Sequence, residues 1–431
     1  MYGNSVAKNA LPPRKSKSIV TLNGKFNGSP ASFDIDEDIL SKHSLFIGGT
    51  GCGKTTLFFH FVDQIKRRMT NDDVMIIFDS KGDFYRKFGS SEDLILGNSK
   101  EFISKSVKWN IFKEIFADGL DEQSYTLNIQ EICRSFFAKR LEKSTANAFF
   151  PNAARDLLSS MMISIVRQSI DNHRLRSERF FNDSLKEALD FFTPERIIDD
   201  LLDYPDLNSV RSYIEGDNAQ SQGVLSEMYS VIREIMIGVF ADHGAFSIRE
   251  FVRNKGKKIL FIEYDLSIGS VLSPVYSLLF DLALKEALGR SHSQGNVYLI
   301  ADEFRLLPNL YHIDDGVNFG RSLGVKVIAG LQSIEQLTEV YGDSRGKNIA
   351  AGFSSVYAFH ANDTATRKFV TDLFGGNMIL EQYLSFDDKY REEKRSGNTV
   401  EDWDMTSLIV GEAIVGLPFS KPFRFRFDNY R

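Results

Sequence analysis

Residues 48–55 carry the clearest chemical signal in this chain. Their sequence, Gly-Gly-Thr-Gly-Cys-Gly-Lys-Thr, matches the phosphate-loop pattern G-x-x-x-x-G-K-[ST] at every fixed position. The apolar segment 44–47 before the loop favours a strand, and residues 56–59 after it favour the start of a helix, which is the setting that the pattern requires. In such a loop, backbone N–H groups and a helix N-terminus surround phosphate oxygens, the lysine contacts the β- and γ-phosphates, and the hydroxyl binds Mg²⁺. The predicted nucleotide-binding residues are therefore Gly48, Gly49, Thr50, Gly51, Cys52, Gly53, Lys54, Thr55 and Thr56, with Lys54 also catalytic and Thr55 also a metal ligand.

Two acidic residues far downstream provide the second half of such a site. Asp302 and Glu303 directly follow the apolar run 297–301, which is the arrangement of a Walker B motif. In that motif the aspartate holds Mg²⁺, directly or through water, and the glutamate orients and deprotonates the attacking water. An aspartate at this place could instead cap the next helix. The phosphate loop favours the metal site, because the two motifs are halves of one site, and the glutamate indicates hydrolysis rather than binding alone.

Gln332 and Arg321 flank the strand predicted at 325–330. A polar side chain at the carboxyl end of such a strand, like that of Gln332, can sense the γ-phosphate, although a simple turn residue is the alternative. In a ring-shaped ATPase, an arginine placed like Arg321 can reach the γ-phosphate held by the neighbouring subunit. A solvated cation at a helix end fits the same spacing, so spacing alone leaves this role open.

Apolar patterning predicts the elements that must position these residues. Residues 74–78 form a continuous apolar run, which is typical of a parallel strand buried on both faces. From about residue 120 to 241, helical periodicity dominates and strand signals are nearly absent. The expected fold class is α/β, a mostly parallel central sheet with helices on both faces and an inserted all-α domain. The expected division is a flexible arm (1–17), a first nucleotide-binding part with the phosphate loop (18–111), the helical insertion (112–250) and a second nucleotide-binding part with the Walker B motif (251–431).

Composition limits the classes of protein that fit. The 431 residues are 42% hydrophobic and include 36 phenylalanines, which indicates a packed core rather than disorder. The net charge of −6 argues against a protein that coats nucleic acid, but it is compatible with a ring whose positive charge lines a channel. The two cysteines fit a reducing compartment, and the seven histidines show no metal-ligand spacing. No apolar run approaches the ~20 residues of a membrane helix, and residues 1–17 lack the apolar core of a secretory signal, so a soluble protein is expected.

The ordered series of motifs resembles the coupling ATPases of type IV secretion and conjugation, the TraG/TraD/TrwB class, over nearly the whole chain. The similar segments are residues 47–55, 76–82, 149–158, 300–304, 320–325, 331–337, 341–342 and 408–413. Three features depart from the family pattern. The usual N-terminal membrane helices are missing, Ser80 stands where the family usually has proline, and the chain stops soon after the core without an acidic tail.

The resemblance implies a RecA-like P-loop ATPase that works as a homo-hexameric ring with ATP and Mg²⁺. It implies roles for matched residues: Lys54 and Thr55 at the phosphates and Mg²⁺, Asp302 and Glu303 as the Walker B pair, Arg321 as the arginine finger, and Gln332 as the motif III residue. It also implies single- or double-stranded DNA as cargo, with a relaxase, its relaxosome or secretion-channel ATPases as partners. A cytoplasmic chain that reaches the inner face of the membrane through these partners is expected.

Two other functions fit the sequence. One is a DNA translocase similar to FtsK or HerA in a phage-defence or mobile-element system. The other is a nucleotide switch that recruits cargo without moving it. Glu303 and Arg321 favour a motor, and a DNA-stimulated ATPase assay separates a motor from a switch.

Overall fold

The computed structural model describes residues 2–3, 5–8, 10–144, 148–171, 180–216, 218–289, 295–384 and 390–430. The strands in chain order are β1 (Tyr2–Gly3), β2 (Ser18–Phe26), β3 (Ser29–Asp36), β4 (Ser44–Ile47), β5 (Val74–Asp79), β6 (Leu94–Leu96), β7 (Lys258–Glu263), β8 (Val297–Ala301), β9 (Val325–Leu331), β10 (Ser355–Phe359), β11 (Gly376–Leu384), β12 (Tyr390–Asn398), β13 (Glu412–Gly416) and β14 (Phe423–Phe427). The α-helices are α1 (Glu37–Leu40), α2 (Lys54–Arg68), α3 (Asp83–Phe88), α4 (Ile111–Ile115), α5 (Glu122–Lys143), α6 (Phe149–Asp171), α7 (Asn182–Asp190), α8 (Pro194–Leu202), α9 (Ala219–Ile235), α10 (Ile248–Asn254), α11 (Gly269–Leu288), α12 (Ile313–Phe319), α13 (Glu335–Tyr341), α14 (Asp343–Ala351), α15 (Thr364–Phe374) and α16 (Asp402–Thr406). Short 3-10 helices lie at Pro205–Tyr213, Gly238–Phe240, Phe304–Leu306 and Gly320–Leu323.

The chain forms two compact units and passes between them four times. The first unit contains Met1–Asp79, Arg290–Arg305 and Ile313–Arg431, and the second contains Ser80–Gly289 and Leu306–His312. Among the described residues from 112 to 250, all regular elements are helices. The division into four segments expected from the sequence stays a prediction. Tyr2 and Gly3, within the expected arm, pair with Met378 and Asn377 of β11.

The sheet of the first unit has its parallel strands together at one side. The order of its strands is β3-β2-β14-β13-β10-β4-β9-β8-β5, and the pairs from β10 to β5 are all parallel. Each of these five strands is buried along its whole length, as continuous apolar runs require when helices cover both faces. In the second unit, β6 and β7 form a further parallel pair. The predicted α/β fold with a mostly parallel central sheet is confirmed.

The register of three neighbouring strands brings their carboxyl ends to one edge of the sheet. Ile47, the last residue of β4, lies opposite Leu331, the last residue of β9. Ala301, the last residue of β8, lies opposite Ala329. The residues that follow β4, β8 and β9 therefore meet at the same edge, although they are up to about 280 residues apart in the sequence.

A buried carboxylate holds α4 to α10 in the second unit. Glu114 is fully buried and accepts hydrogen bonds from the indole N–H of Trp109 (3.0 Å), the hydroxyl of Ser247 (2.9 Å) and the backbone N–H groups of Ile248 (2.7 Å) and Arg249 (3.3 Å). These backbone groups belong to the first turn of α10, where N–H groups have no partner within the helix. Burial raises the pKa of Glu114 to about 7, although the four donors oppose that shift.

Candidate functional site

The loop between β4 and α2 depends on backbone conformations with positive φ, which favour glycine. Gly48, Gly51 and Gly53 all have positive φ, and Gly53, at +112°, immediately precedes the first residue of α2. A side chain at Gly53 would be strained, and its Cβ would lie 3.0 Å from the Cα of Gly411. Because Gly53 has no side chain, no hydroxyl or carboxylate at this position caps the first N–H groups of α2. The loop thus presents a helix N-terminus that is suited to an anion.

Lys54 folds back over the loop that precedes it. Its ammonium group donates hydrogen bonds to the carbonyl oxygens of Gly48 and Gly49, the latter at 2.9 Å. Burial lowers the pKa of Lys54, while the negative charges of Glu303 and Asp302 act in the opposite direction. Burial likewise raises the pKa of the Cys52 thiol in the same loop. The ammonium group of Lys54 therefore lies within the loop, and the charges of both predicted Walker B acids act on its pKa.

Thr55 and Thr56 occupy the first turn of α2, the former exposed and the latter half-buried. The exposed hydroxyl of Thr55 is the one that the motif assigns to Mg²⁺. Asp302 directly follows β8, and its backbone carbonyl lies against the backbone of Gly330 in β9. The structure thus places these predicted residues at the carboxyl edge of the parallel strands.

Glu303 and Gln332 form a direct link between the end of β8 and the loop after β4. The Nε2 of Gln332 donates to the Oε2 of Glu303 at 2.8 Å. The hydroxyl of Thr50 in the loop donates to the Oε1 of Gln332 at 3.4 Å. Gln332 thus joins Thr50 of the loop to the carboxylate of Glu303.

Arg321 lies elsewhere in the first unit. It belongs to the 3-10 helix before β9, at the amino ends of the parallel strands, and its guanidinium pairs with Asp38 at 2.6 Å. Its side chain is 54% exposed. A parallel strand such as β9 spans roughly 20 Å, so the structure brings residues 48–56, Asp302, Glu303 and Gln332 together and leaves Arg321 at the other end of the strands.

Three residues at this edge were not recognised as site residues from the sequence. The carbonyl of His360, after β10, accepts the N–H of Gly49 at 2.8 Å. The N–H of Gly411 donates to the carbonyl of Cys52 at 2.9 Å. Arg305 pairs with the Oε1 of Glu303 at 3.1 Å. Only proximity to the motif in sequence could have indicated Arg305, and nothing local indicates the two backbone contacts.

One family model matches most of this chain. The family model described as the type IV secretion-system coupling protein DNA-binding domain matches residues 30–423. The chain belongs to this family. This coupling-protein chain is 22% identical over 385 residues to the coupling protein TraD of Escherichia coli (strain K12), covering 86% of the chain and 49% of TraD. It therefore spans about half the length of that curated relative.

Solved structures of coupling proteins share the fold. The unbound monoclinic form of the bacterial conjugative coupling protein TrwBdeltaN70 superposes with a TM-score of 0.76 at 22% identity, covering 97% of this chain and 90% of that one. The plasmid coupling protein TrwB in complex with ADP and Mg²⁺ gives a TM-score of 0.72 at 22% identity, with the same coverage. These likenesses confirm the expected P-loop NTPase fold with helical insertions.

In the part of the chain that the structure describes, none of the helices is both long and apolar enough to cross a bilayer.

Proposed function

We propose that this coupling-protein chain binds ATP with Mg²⁺ at the carboxyl edge of the first unit and hydrolyses it. The observation that carries the proposal is the meeting of residues 48–56 with Asp302, Glu303 and Gln332 in one unit, linked through Thr50. The glycine conformations and the helix start after Gly53 suit a polyphosphate, and the Thr55 hydroxyl with the Asp302 carboxylate is an oxygen donor set that suits Mg²⁺. ATP bound with Mg²⁺ supplies a reactive phosphoanhydride and a cation that neutralises its charge.

Each residue of the site then has a distinct task. Lys54 leaves the carbonyls of Gly48 and Gly49 and binds phosphate oxygens, which its position inside the loop favours. Glu303 orients the attacking water and accepts its proton. Gln332, already bonded to Glu303, reports the state of the loop through Thr50.

Two substitutions test this assignment. Lys54→Ala should abolish both tight nucleotide binding and turnover, because the only cation of the loop is lost. Glu303→Gln should keep nucleotide binding but lose hydrolysis by ~10²–10⁴-fold, the usual range for a general base, because the phosphate and metal contacts remain. A fluorescent-nucleotide binding assay and a phosphate-release assay measure the two effects. Wild-type turnover in Glu303→Gln would overturn the role given to Glu303.

Assembly into a ring supplies the remaining part of the site. Arg321 is exposed and lies at the amino ends of the strands, so it would complete the site of a neighbouring copy, where an arginine finger contributes ~10³–10⁵ in rate. We infer a homo-hexamer from the family. In a mixture, Arg321→Ala subunits have an intact loop and Lys54→Ala subunits have an intact finger, so mixing the two inactive variants should restore some turnover. Concentration-independent turnover in the wild type together with no rescue in the mixture would contradict a shared site.

The cargo proposed for this motor is DNA, alone or with a bound relaxase, delivered to a secretion channel and its ATPases. The DNA-binding description of the matching family supports DNA as the cargo. A net charge of −6 fits a ring that keeps its basic residues in a pore. Turnover that rises on adding single- or double-stranded DNA supports a motor, and nucleotide binding without DNA-stimulated turnover favours the alternative, a switch that recruits cargo.

A further inference from the structure

The carboxylate of Glu303 is held from both sides. Gln332 bonds one oxygen at 2.8 Å, and the Nε of Arg305 pairs with the other at 3.1 Å. The Arg305 side chain is 47% exposed, whereas Glu303 is 17% exposed. A carboxylate that is engaged at both oxygens is a poorer acceptor for a water proton than a released one. The contact with Arg305 therefore restrains the residue that would act on water.

Arg305 is also the point where the chain leaves the first unit. The next seven residues, Leu306–His312, belong to the second unit, and the chain returns at Ile313. We call Leu306–His312 the strap. Two of its apolar side chains, Leu307 and Leu310, are fully buried. The strap is thus packed into the second unit and is joined to Arg305 by a single peptide bond.

Polar contacts fix the end of the strap to α5 and α11. The backbone N–H of His312 donates to the Oδ1 of Asp281 at 2.8 Å, and its Nδ1 lies 2.9 Å from the Oδ2 of the same residue. The His312 Nε2 lies 3.8 Å from the carboxylate of Glu131, which also pairs with Lys285. Burial lowers the pKa of His312, but the hydrogen bond and charge of Asp281 and the charge of Glu131 outweigh it, so the net shift is upward.

A second contact fixes the residue before His312. The guanidinium of Arg134 lies 3.7 Å from the ring centroid of Tyr311, a cation–π geometry. Arg134, Glu131 and Lys285 also line an open cleft of about 770 Å³ in the second unit. Arg134 and Glu131, which contact Tyr311 and His312 of the strap, are therefore accessible from this cleft.

We propose that Arg305 is a positioning residue that restrains Glu303, and that the strap ties this restraint to α5 and α11. Loss of the Tyr311 or His312 anchor shifts the strap, withdraws Arg305 and frees Glu303 to act on water. The inference rests on the proposed ATP hydrolysis and deepens it by naming how the second unit regulates the same site.

Substitution of Arg305 tests the restraint. Arg305→Gln should raise the turnover number without DNA by up to about fivefold, the factor equivalent to the ~1 kcal/mol of an exposed ion pair, and should leave the KM for ATP unchanged. Arg305→Lys, which keeps the charge, should stay closer to wild type. Lys347→Gln, which breaks an exposed ion pair of 2.7 Å with Asp343, is the matched control and should not change the rate. A gain of activity is not expected from general damage to the fold.

Substitutions at the anchor test the tie. His312→Gln and the milder Arg134→Gln should each raise the rate without DNA, and neither should raise it further in the Arg305→Gln background, because both act through Arg305. Equal or lower basal rates in Arg305→Gln, or additive effects in the double variants, would refute the inference. A wild type that hydrolyses no ATP at any DNA concentration refutes the proposed function instead. In that case faster amide hydrogen exchange at residues 304–312 in Arg134→Gln supports the tie, and unchanged exchange refutes it.

Discussion

Gly330 in β9 lies against the backbone of Asp302, the residue that follows β8, beside the candidate site. A Cβ added to Gly330 would lie 2.2 Å from the carbonyl oxygen of Asp302 and 3.0 Å from the ring of Phe58. The ordinary limit for such a contact is above 3 Å, so Gly330→Ala must push the end of β8 away by about 1 Å. The group that moves is the backbone of Asp302 itself, and Glu303 moves with it.

The size of the effect follows from this displacement. Overpacking a close-packed interior costs about 1–3 kcal/mol of unfolding free energy, and a misplacement of about 1 Å costs about 10²-fold in rate. We therefore expect Gly330→Ala to fold, to melt several degrees lower and to lose about 10²-fold in ATP turnover. Nucleotide binding should change much less, because Gly330 does not belong to residues 48–56.

Three measurements on two variants check this expectation. Thermal melting, fluorescent-nucleotide binding and phosphate release are compared between Gly330→Ala and Gly289→Ala. Gly289 follows α11 with φ of −70°, and a Cβ there would meet only ordinary contacts at 3.5 Å. If Gly330→Ala turned over ATP within twofold of wild type and melted at the same temperature, the strand end would be compliant and the reasoning would be wrong.

Two further predictions concern the second unit. Glu114→Gln should lower the unfolding free energy, measured by urea titration, by about 2–4 kcal/mol. The glutamine amide cannot accept hydrogen bonds from all four buried donors, and each unsatisfied donor costs about 1–3 kcal/mol. A loss of less than about 0.5 kcal/mol would contradict this. The pKa of Asp118 is lowered because hydrogen bonds from Arg253 and Arg249 outweigh the opposing effect of burial. A lowered pKa in the folded state stabilises the folded protein at pH values above the ordinary pKa of about 4, and this stabilisation is lost as the pH falls below that value. The difference in unfolding free energy between wild type and Asp118→Asn should therefore shrink from pH 7 to pH 3. A constant difference would disprove the linkage.

The edge of the sheet that carries the candidate site was largely predictable because its signals are local. The strand predicted at 44–47 is β4, and the apolar runs at 74–78 and 325–330 are β5 and β9, each extended by one residue. The residues that follow neighbouring parallel strands meet at one edge of the sheet. The sequence alone therefore predicts that Lys54, Asp302, Glu303 and Gln332 lie together. Their catalytic roles stay predictions until they are assayed.

Elements without an apolar pattern were missed. Ser29–Asp36 forms β3, which the sequence did not indicate, and its buried Asp34 accepts hydrogen bonds from the backbone N–H of Lys15 and the hydroxyl of Thr21. β12 is almost entirely polar and exposed where described, so no alternation indicates it. The partner of Arg321, Asp38, is 283 residues away in the sequence, and a contact of that kind has no local signal.

The position of β4 in the sheet has a consequence for the synthesis of the protein on the ribosome. β4 pairs only with β9 and β10, whose last residues come about 280 and 310 residues after its own. At about 5–20 residues per second, a ribosome takes roughly 15 s to 1 min to deliver the first of these partners. During that interval the apolar sequence Ser44–Ile47 has both edges unpaired. Nascent chains of this protein thus expose their phosphate-loop strand throughout the synthesis of the second unit, and chaperones that bind short apolar segments have that whole interval to engage it.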